Sequence, residues 1–351
     1  MNTDIDQTPP DGPLPPEAST ADLPPVEPPS ARFIVQLFLV PALIVSVIVV
    51  LVLFVNWLGS SSRDWQTLVI NLDRDNAQRR GRAAHDLAQL LSADHQSDSD
   101  TPLSRNPQLA TALCRLVDSR LGEVPSSEGQ EAIVELTTLL RLLGLLDAHD
   151  VVLPVLNRTI AEGRDRSLRL TGLYAIARIG ERAVEAGRPL TAADIVEQVV
   201  TVTGDDDLAL RRMAVGALGM FDTDVARRQI KVLLGDPDPA TRFNAATSLA
   251  RQGSADGLAV FRRVLVDFGD RNELPTADKI KSRQEAEQVM LELVMLRNAL
   301  KAIENLAHDD KLDAEQRTEM IELISPLAAD SRPDRVRIDA KRVLQALNTT
   351  G

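Results

Sequence analysis

The stretch that most constrains the fold is residues 236–264, which read DPDPATRFNAATSLARQGSADGLAVFRRV. Its two prolines exclude a helix interior at the start, because proline lacks a backbone donor and pushes the preceding residue out of the helical region. Asp238 is therefore predicted as an N-cap, with Pro239 at the first helical position. Gly253 is predicted to end this helix and Ser254 to cap a second one. The stretch thus predicts a helix–turn–helix unit.

The first helix of this unit carries a pattern that recurs elsewhere in the chain. Arg242, Ala245 and Leu249 follow helical spacing, with the two apolar residues on one face. An arginine, a small residue three positions later and Leu or Ile four positions after that recur at Arg80/Ala83/Leu87, Arg169/Gly172/Ile176, Arg211/Ala214/Leu218 and Arg337/Ala340/Leu344. The residue four before each of these template arginines is Asp, Asn or Pro, which suits a helix start. Intervals of roughly 30 to 47 residues are typical of two-helix repeats.

This pattern resembles HEAT repeats, in particular the short HEAT-like type that also occurs in phycobilin lyases. The resemblance covers residues 165–265 well and residues 65–91 and 331–347 weakly. It implies an all-α fold, an α-solenoid of stacked antiparallel helix pairs, which we place at residues 59–348. The alternative is a non-repetitive helical bundle whose Arg/Ala/Leu spacing arises by chance. Repeat arrays of this kind serve many unrelated roles, so the resemblance predicts architecture rather than activity.

The N-terminal part of the chain predicts a membrane anchor. Residues 1–31 are rich in proline and acidic residues, which predicts a disordered tail. Residues 33–58 contain no charged side chain, and at 1.5 Å per residue they exceed the ~30 Å hydrocarbon layer. We therefore predict one transmembrane helix at residues 32–58. A cleaved signal peptide fits poorly because the segment is long and follows an acidic tail; a buried core helix is the other alternative.

The distribution of arginines predicts the orientation of this anchor. Only Arg32 precedes the apolar segment, whereas Arg63, Arg74, Arg79 and others follow it. Positive residues stay on the cytoplasmic side, so the helical domain is expected on the cytoplasmic face of a membrane, most simply the bacterial cytoplasmic membrane.

Composition excludes several classes of function. The formal net charge of −12 argues against a general nucleic-acid binder, because phosphate would be repelled. Aromatic residues make up only 3% of the chain, which suits a core of closely packed aliphatic helices. Cys114 is the only cysteine, so neither an internal disulfide nor a cysteine-based zinc site can form.

No residue pattern predicts catalysis, and we expect no catalytic, cofactor-binding or metal-binding residues. The four histidines are scattered without metal-ligand spacing. His149 between Asp147 and Asp150 is better explained by a turn between helices. The carboxylates of residues 204–207 (GDDD) could hold a divalent cation, but capping of a helix N-terminus already explains them. Cys114, between apolar residues, is expected to be a core side chain.

The arginines have both a structural and a functional interpretation. The template arginines could line a positive groove, but pairing with the capping Asp of a neighbouring repeat is the preferred interpretation. Arg178 and Arg251 each follow a template arginine by nine residues, so they should occupy equivalent places on one side of the stack. With Arg212 they form the predicted partner-binding surface.

Residues 285–307 predict the longest helix of the chain. Its apolar residues alternate by four and three positions at Val289, Leu293, Leu296, Leu300 and Ile303. This spacing fits a dimer seam over about two heptads. A helix buried in the solenoid is the preferred interpretation, because Met290, Val294 and Met295 widen the apolar face.

These observations favour a membrane-anchored helical-repeat scaffold that mediates protein–protein interaction and is not an enzyme. One alternative is an enzyme that handles a tetrapyrrole, as the resemblance to phycobilin-lyase repeats implies; the scarcity of aromatic residues and the lack of a nucleophile argue against it. Another is a structural envelope protein whose tail contacts a partner across the membrane. The sequence leaves the oligomeric state open.

Overall fold

A computed structural model describes residues 43, 45–51, 65–96, 101–123, 129–269, 282–329 and 333–349. The chain divides into two units, Met1–Ser62 and Arg63–Gly351. In the first unit, residues 43 and 45–51 are helical and their large apolar side chains are exposed. The predicted tail at residues 1–31 and most of the predicted span at residues 32–58 lie outside the described residues. Within the described ranges, no helix has both the length and the apolar character that a bilayer crossing requires.

The described residues of the second unit form a succession of α-helices. In chain order these are α1 (Trp65–Leu72), α2 (Ala77–Asp94), α3 (Pro107–Glu123), α4 (Gln130–Leu143), α5 (His149–Thr159), α6 (Arg166–Glu185), α7 (Ala193–Val202), α8 (Leu208–Leu218), α9 (Asp224–Leu233), α10 (Pro239–Arg251), α11 (Leu258–Gly269), α12 (Arg283–His308), α13 (Ala314–Ile324) and α14 (Asp334–Thr349). These residues contain no strand; an isolated bridge joins Leu190 to Phe221, and the Asp222 amide donates to the Leu190 carbonyl oxygen at 3.0 Å.

The helices form two layers. Helices pack in consecutive pairs that begin with an odd-numbered helix, from α1 with α2 to α13 with α14. Each even-numbered helix also packs on the next even-numbered one, so α2, α4, α6, α8, α10, α12 and α14 form an even layer. The remaining helices form an odd layer, whose members are farther apart near α9 and α11. This arrangement confirms the predicted all-α solenoid. The alternative of a non-repetitive bundle does not fit it.

Helix starts follow the predicted caps. Asp238 accepts the Thr241 amide at 2.8 Å, and Pro239 occupies the first turn of α10. Asn76, Asp165 and Asp207 cap α2, α6 and α8 in the same way. The turn after α10 contains Gly253 with a φ of +75°, a conformation that glycine adopts without strain. The chain turns between Leu72 and Ala77, so α1 and α2 are separate helices.

The hydrophobic core has two parts that meet at α10. The first extends from α1 to α10 and includes Ala245 and Leu249; the second extends from α10 to α14 and includes Phe243 and Ala246. The two faces of α10 therefore bury side chains in different clusters. Phe243 also contacts Phe261 of α11 edge to face, with ring centroids 6.0 Å apart. The helix that predicts the repeat most clearly is thus also the helix that joins the two halves of the core.

Candidate partner-binding surface

Three of the five template arginines bind the turn that begins their own helix. One guanidinium nitrogen of Arg242 donates to the carbonyl oxygens of Asp236 and Pro237, at 2.7 and 2.9 Å. Arg211 donates in the same way to the carbonyl oxygens five and six residues before it, and so does Arg80. These oxygens precede the helix and cannot join its backbone ladder. The arginines therefore satisfy acceptors that the repeat leaves open.

Arginines also join successive repeats of the even layer through ion pairs. Arg169 of α6 reaches Asp205 at 2.7 Å, and Arg211 of α8 lies 3.7 Å from Asp236. The predicted ion pairs between repeats therefore exist, but the template arginines bind a different aspartate from the predicted capping one. The acceptor is the aspartate two residues before the cap, because the Asp-x-Asp turn holds that carboxylate against the previous repeat.

The capping aspartates are bound by different arginines. Asp238 receives two hydrogen bonds from Arg212, at 2.8 and 2.6 Å, in a bidentate pair. Asp207 is bound by Arg166. Each Asp-x-Asp turn thus uses both carboxylates: the first binds a template arginine, and the second caps a helix while it binds another arginine. In the GDDD stretch at residues 204–207, these contacts occupy the carboxylates of Asp205 and Asp207.

These contacts stabilise the ionised aspartates. The hydrogen bond from Arg166, with the Ala209 and Leu210 amides, lowers the pKa of Asp207 to about 2 against the opposing effect of burial. Arg212 and Thr241 hold the pKa of Asp238 far below its usual value. For Asp205, burial opposes ionisation, but the Asp207 amide and Arg169 prevail and lower its pKa.

Of the three predicted partner-binding arginines, two come together and one does not. Arg178 of α6 pairs with Glu181, and the Glu181 carboxylate also acts electrostatically on Arg251 of α10. Arg178 and Arg251 therefore share one side of the even layer. Arg212 lies at the opposite end, on the cap of α10, about 20 Å from Arg251 along the helix by a rise of 1.5 Å per residue. Its guanidinium serves the contact between repeats.

Arg251 borders a cavity of about 230 Å³ at the ends of α6, α8 and α10. Val184, Pro189, Met220 and Phe221 contribute its apolar wall, and Asp222 and Gln252 contribute polar groups. Arg251 is exposed, but the protein on one side of its guanidinium lowers the pKa of that group, while Glu181 acts in the opposite sense. Among the described residues, no side chain forms an ion pair or hydrogen bond with this guanidinium.

Gln252 adds a second open polar group that the sequence did not indicate. Its amide nitrogen donates to the Phe221 carbonyl oxygen at 2.9 Å, whereas its Oε1 is buried without a hydrogen-bond partner. A glutamine at a helix end belongs to no motif, and the cavity arises only where the turns of adjacent repeats meet. We define the Arg251 surface as Arg178, Glu181, Arg251, Gln252 and this cavity.

Other ionisable groups serve the interior of the fold. Asp147 receives a hydrogen bond from Arg182 at 2.8 Å and lies 3.8 Å from His95. Burial raises the pKa of Asp147, but Arg182 outweighs it and the net pKa is lowered. Burial raises the pKa of the Cys114 thiol to about 12. In the described ranges, no three His, Cys, Asp or Glu side chains are placed to hold a metal ion.

Comparisons with known proteins agree on the architecture. A family model described as HEAT repeats matches residues 196–272, which include α7 to α11. This match confirms HEAT-like repeats in that part of the chain. No curated protein matches the chain.

Several solved structures share the helical-repeat arrangement. The complex of CpcE and CpcF of phycocyanin lyase from Nostoc sp. is 16% identical over 82% of this chain and 96% of that one, with a TM-score of 0.43. A designed armadillo repeat protein in complex with a peptide is 14% identical over 81% of this chain and 100% of that one, with a TM-score of 0.37. An engineered protein is 17% identical over 82% and 98%, with a TM-score of 0.38. At these levels of similarity, function has to be argued from the residues of this chain.

Proposed function

We propose that this protein is a membrane-anchored, non-catalytic scaffold that binds an acidic segment of a partner protein at the Arg251 surface. The single observation that carries the proposal is the state of Arg251. Arg166, Arg169, Arg211 and Arg212 of the same layer all pair with aspartates. Arg251 is exposed beside the cavity, and its guanidinium has no such partner among the described residues.

The chemistry of this surface favours a carboxylate ligand. An unpaired guanidinium gains most from an anion with which it can form charge-assisted hydrogen bonds, and it matches a carboxylate in a bidentate geometry. Glu181 already lies near both arginines, so a bound carboxylate would take its place or share them. The adjacent apolar wall suits a small aliphatic side chain of the same segment, and the open Gln252 Oε1 can accept a backbone amide from it.

The membrane anchor is supported by the sequence. Residues 33–58 carry no charge and exceed the thickness of the hydrocarbon layer, and the arginines that follow favour a cytoplasmic repeat domain. Anchoring would confine the Arg251 surface to two dimensions and raise its effective concentration near other membrane proteins.

Charge reversal at the two arginines tests the proposal. Full-length chains are purified from membranes of the source cells, and the proteins captured by Arg178→Glu/Arg251→Glu are compared with those captured by wild type. We expect the partner to be lost from the double variant and released from wild type by rising salt, because exposed charge contacts are screened. Circular dichroism should be unchanged, since both side chains lie at the surface.

Arg228→Glu/Arg263→Glu is the matched control, with the same change of charge at exposed arginines of the odd layer. Capture should survive in this variant. Equal capture by all three chains, or equal loss in both double variants, would contradict a role for the Arg251 surface. Recovery of the full-length chain in the soluble fraction would contradict the anchor alone.

A further inference from the structure

The first half of α12 exposes an apolar face. Leu296, Leu300 and Ile303 are buried, which confirms a solenoid helix for the second half. In the first half, Met290, Leu291 and Val294 are 63%, 56% and 46% exposed, respectively. An apolar helix face of this kind on a folded protein marks a site of association.

The exposed face borders a groove between α12 and α14. Its volume is about 830 Å³, and its walls include Met290, Leu293 and Val294 of α12 and Val336 and Ile338 of α14. Ile338 is itself 59% exposed. The groove is therefore large enough and apolar enough to receive side chains from another helix.

The charges that flank this face indicate what occupies it. Glu287, Met290, Val294 and Arg297 follow one another at steps of three and four, so they lie on one side of α12. Within the part of the chain that the structure describes, Glu287 pairs only with the exposed Arg283 of its own helix, one turn earlier. Among the described residues, Arg297 forms no ion pair.

This order is complementary to itself when read in the opposite direction. If two copies of α12 pack antiparallel, Met290 faces Val294 of the other copy, and Glu287 faces Arg297 at both ends. A parallel arrangement would instead place Glu287 against Glu287. A two-fold interface requires such self-complementarity, because the same patch must serve both chains.

We propose that the exposed half of α12 is the contact between two copies of this chain, packed antiparallel about a two-fold axis near residue 292. The Met290–Val294 ridge of each copy enters the groove of the other. A lipid surface is the less favoured occupant, because the acidic residues Glu285 and Glu287 begin this helix.

Disulfide trapping tests the contact and its direction. Two full-length chains with tags of different length are co-expressed, one with Met290→Cys and the other with Val294→Cys, and oxidised in native membranes. We expect a mixed dimer to exceed either homodimer severalfold, because the antiparallel arrangement brings positions 290 and 294 of different chains together. The buried Cys114 should not contribute, since its thiol resists ionisation.

Val232→Cys is the matched control. Val232 lies on α9 in the odd layer and is 69% exposed, so it reports random collisions between chains in the membrane. Equal trapping at position 232, homodimers in excess of the mixed dimer, or no trapping at positions 290 and 294 would overturn the proposal.

A charge exchange gives an independent test on the same trapped dimer. Glu287→Arg and Arg297→Glu should each lower the yield of mixed dimer about fivefold, because each puts like charges together at both ends of the interface. The double variant Glu287→Arg/Arg297→Glu should restore it, since the pairs reform with reversed sign. Yields that do not recover in the double variant would contradict the antiparallel pairing.

Discussion

Single aspartates of this protein perform two structural tasks. Asp238 caps α10 through the Thr241 amide and hydroxyl, both at 2.8 Å, and binds Arg212 of the previous repeat. One carboxylate thus starts a helix and fixes its distance from the helix before it. The predicted capping role is confirmed, while the pairing with Arg212 depends on how the repeats stack.

Two substitutions of Asp238 separate these tasks. Asp238→Asn keeps a good cap but loses the ionic contact, and we expect a loss of about 1 kcal/mol in the free energy of unfolding. Asp238→Ala loses both, and we expect about 2 kcal/mol or more. Urea unfolding followed by circular dichroism measures both values. Equal losses in the two variants would show that the cap contributes nothing beyond the ion pair.

At the level of the helix, the small residue of each repeat sets how closely neighbouring helices approach. Ala214 and Ala245 are fully buried at this position in α8 and α10. In α6 the position is Gly172, where a Cβ would lie 2.5 Å from Thr159 Oγ1 and 2.8 Å from Ile160 Cγ2 of α5. Glycine and alanine are therefore not interchangeable here, although the sequence pattern treats them alike.

Gly172→Ala should destabilise the protein by about 1–3 kcal/mol, because α5 and α6 must separate to admit the methyl group. Gly216→Ala in α8 is the control, since no atom lies within 4 Å of its added Cβ. There the same change should stabilise by about 0.5–1 kcal/mol through helix propensity and reduced unfolded-state entropy. Thermal unfolding of the two variants should shift in opposite directions. A shift of the same sign would contradict the close packing at Gly172.

Ionised aspartates join the central repeats of the domain. Asp205, Asp207 and Asp238 link α6 to α8 and α8 to α10, and each has a pKa below that of an unfolded chain. A carboxylate with a lowered pKa stabilises the fold above its unfolded pKa, and this contribution is lost as pH falls through the folded pKa. The stacking of repeats is therefore sensitive to acid.

We expect the contribution of these three aspartates to the free energy of unfolding to be nearly constant from pH 7 to about pH 5. It should fall from about pH 4 to pH 2. Urea titrations of the full-length chain in mild detergent at several pH values measure this profile. Asp207→Asn should be less stable than wild type at pH 7 and should lose less on acidification, because it has no proton to take up. Stability that holds or rises between pH 4 and pH 2 would contradict the ionic links.

Helix boundaries and buried faces in the central repeats follow from the amino-acid order alone. Asp238, Pro239 and Gly253 act within their own turns, and the buried Ala245 and Leu249 follow a period that any helix shares. Such local relations depend on residues a few positions apart, so they can be derived without coordinates.

Contacts between repeats depend on the three-dimensional arrangement of the helices. Asp236, rather than the capping Asp238, lies against Arg211. Arg251 borders a cavity, whereas Arg212 binds Asp238 at the other end of α10, about 20 Å from Arg251. Met290 is exposed on a helix whose second half is buried. These outcomes depend on the offset between neighbouring helices, which loops of unequal length set and which no periodicity within one helix records.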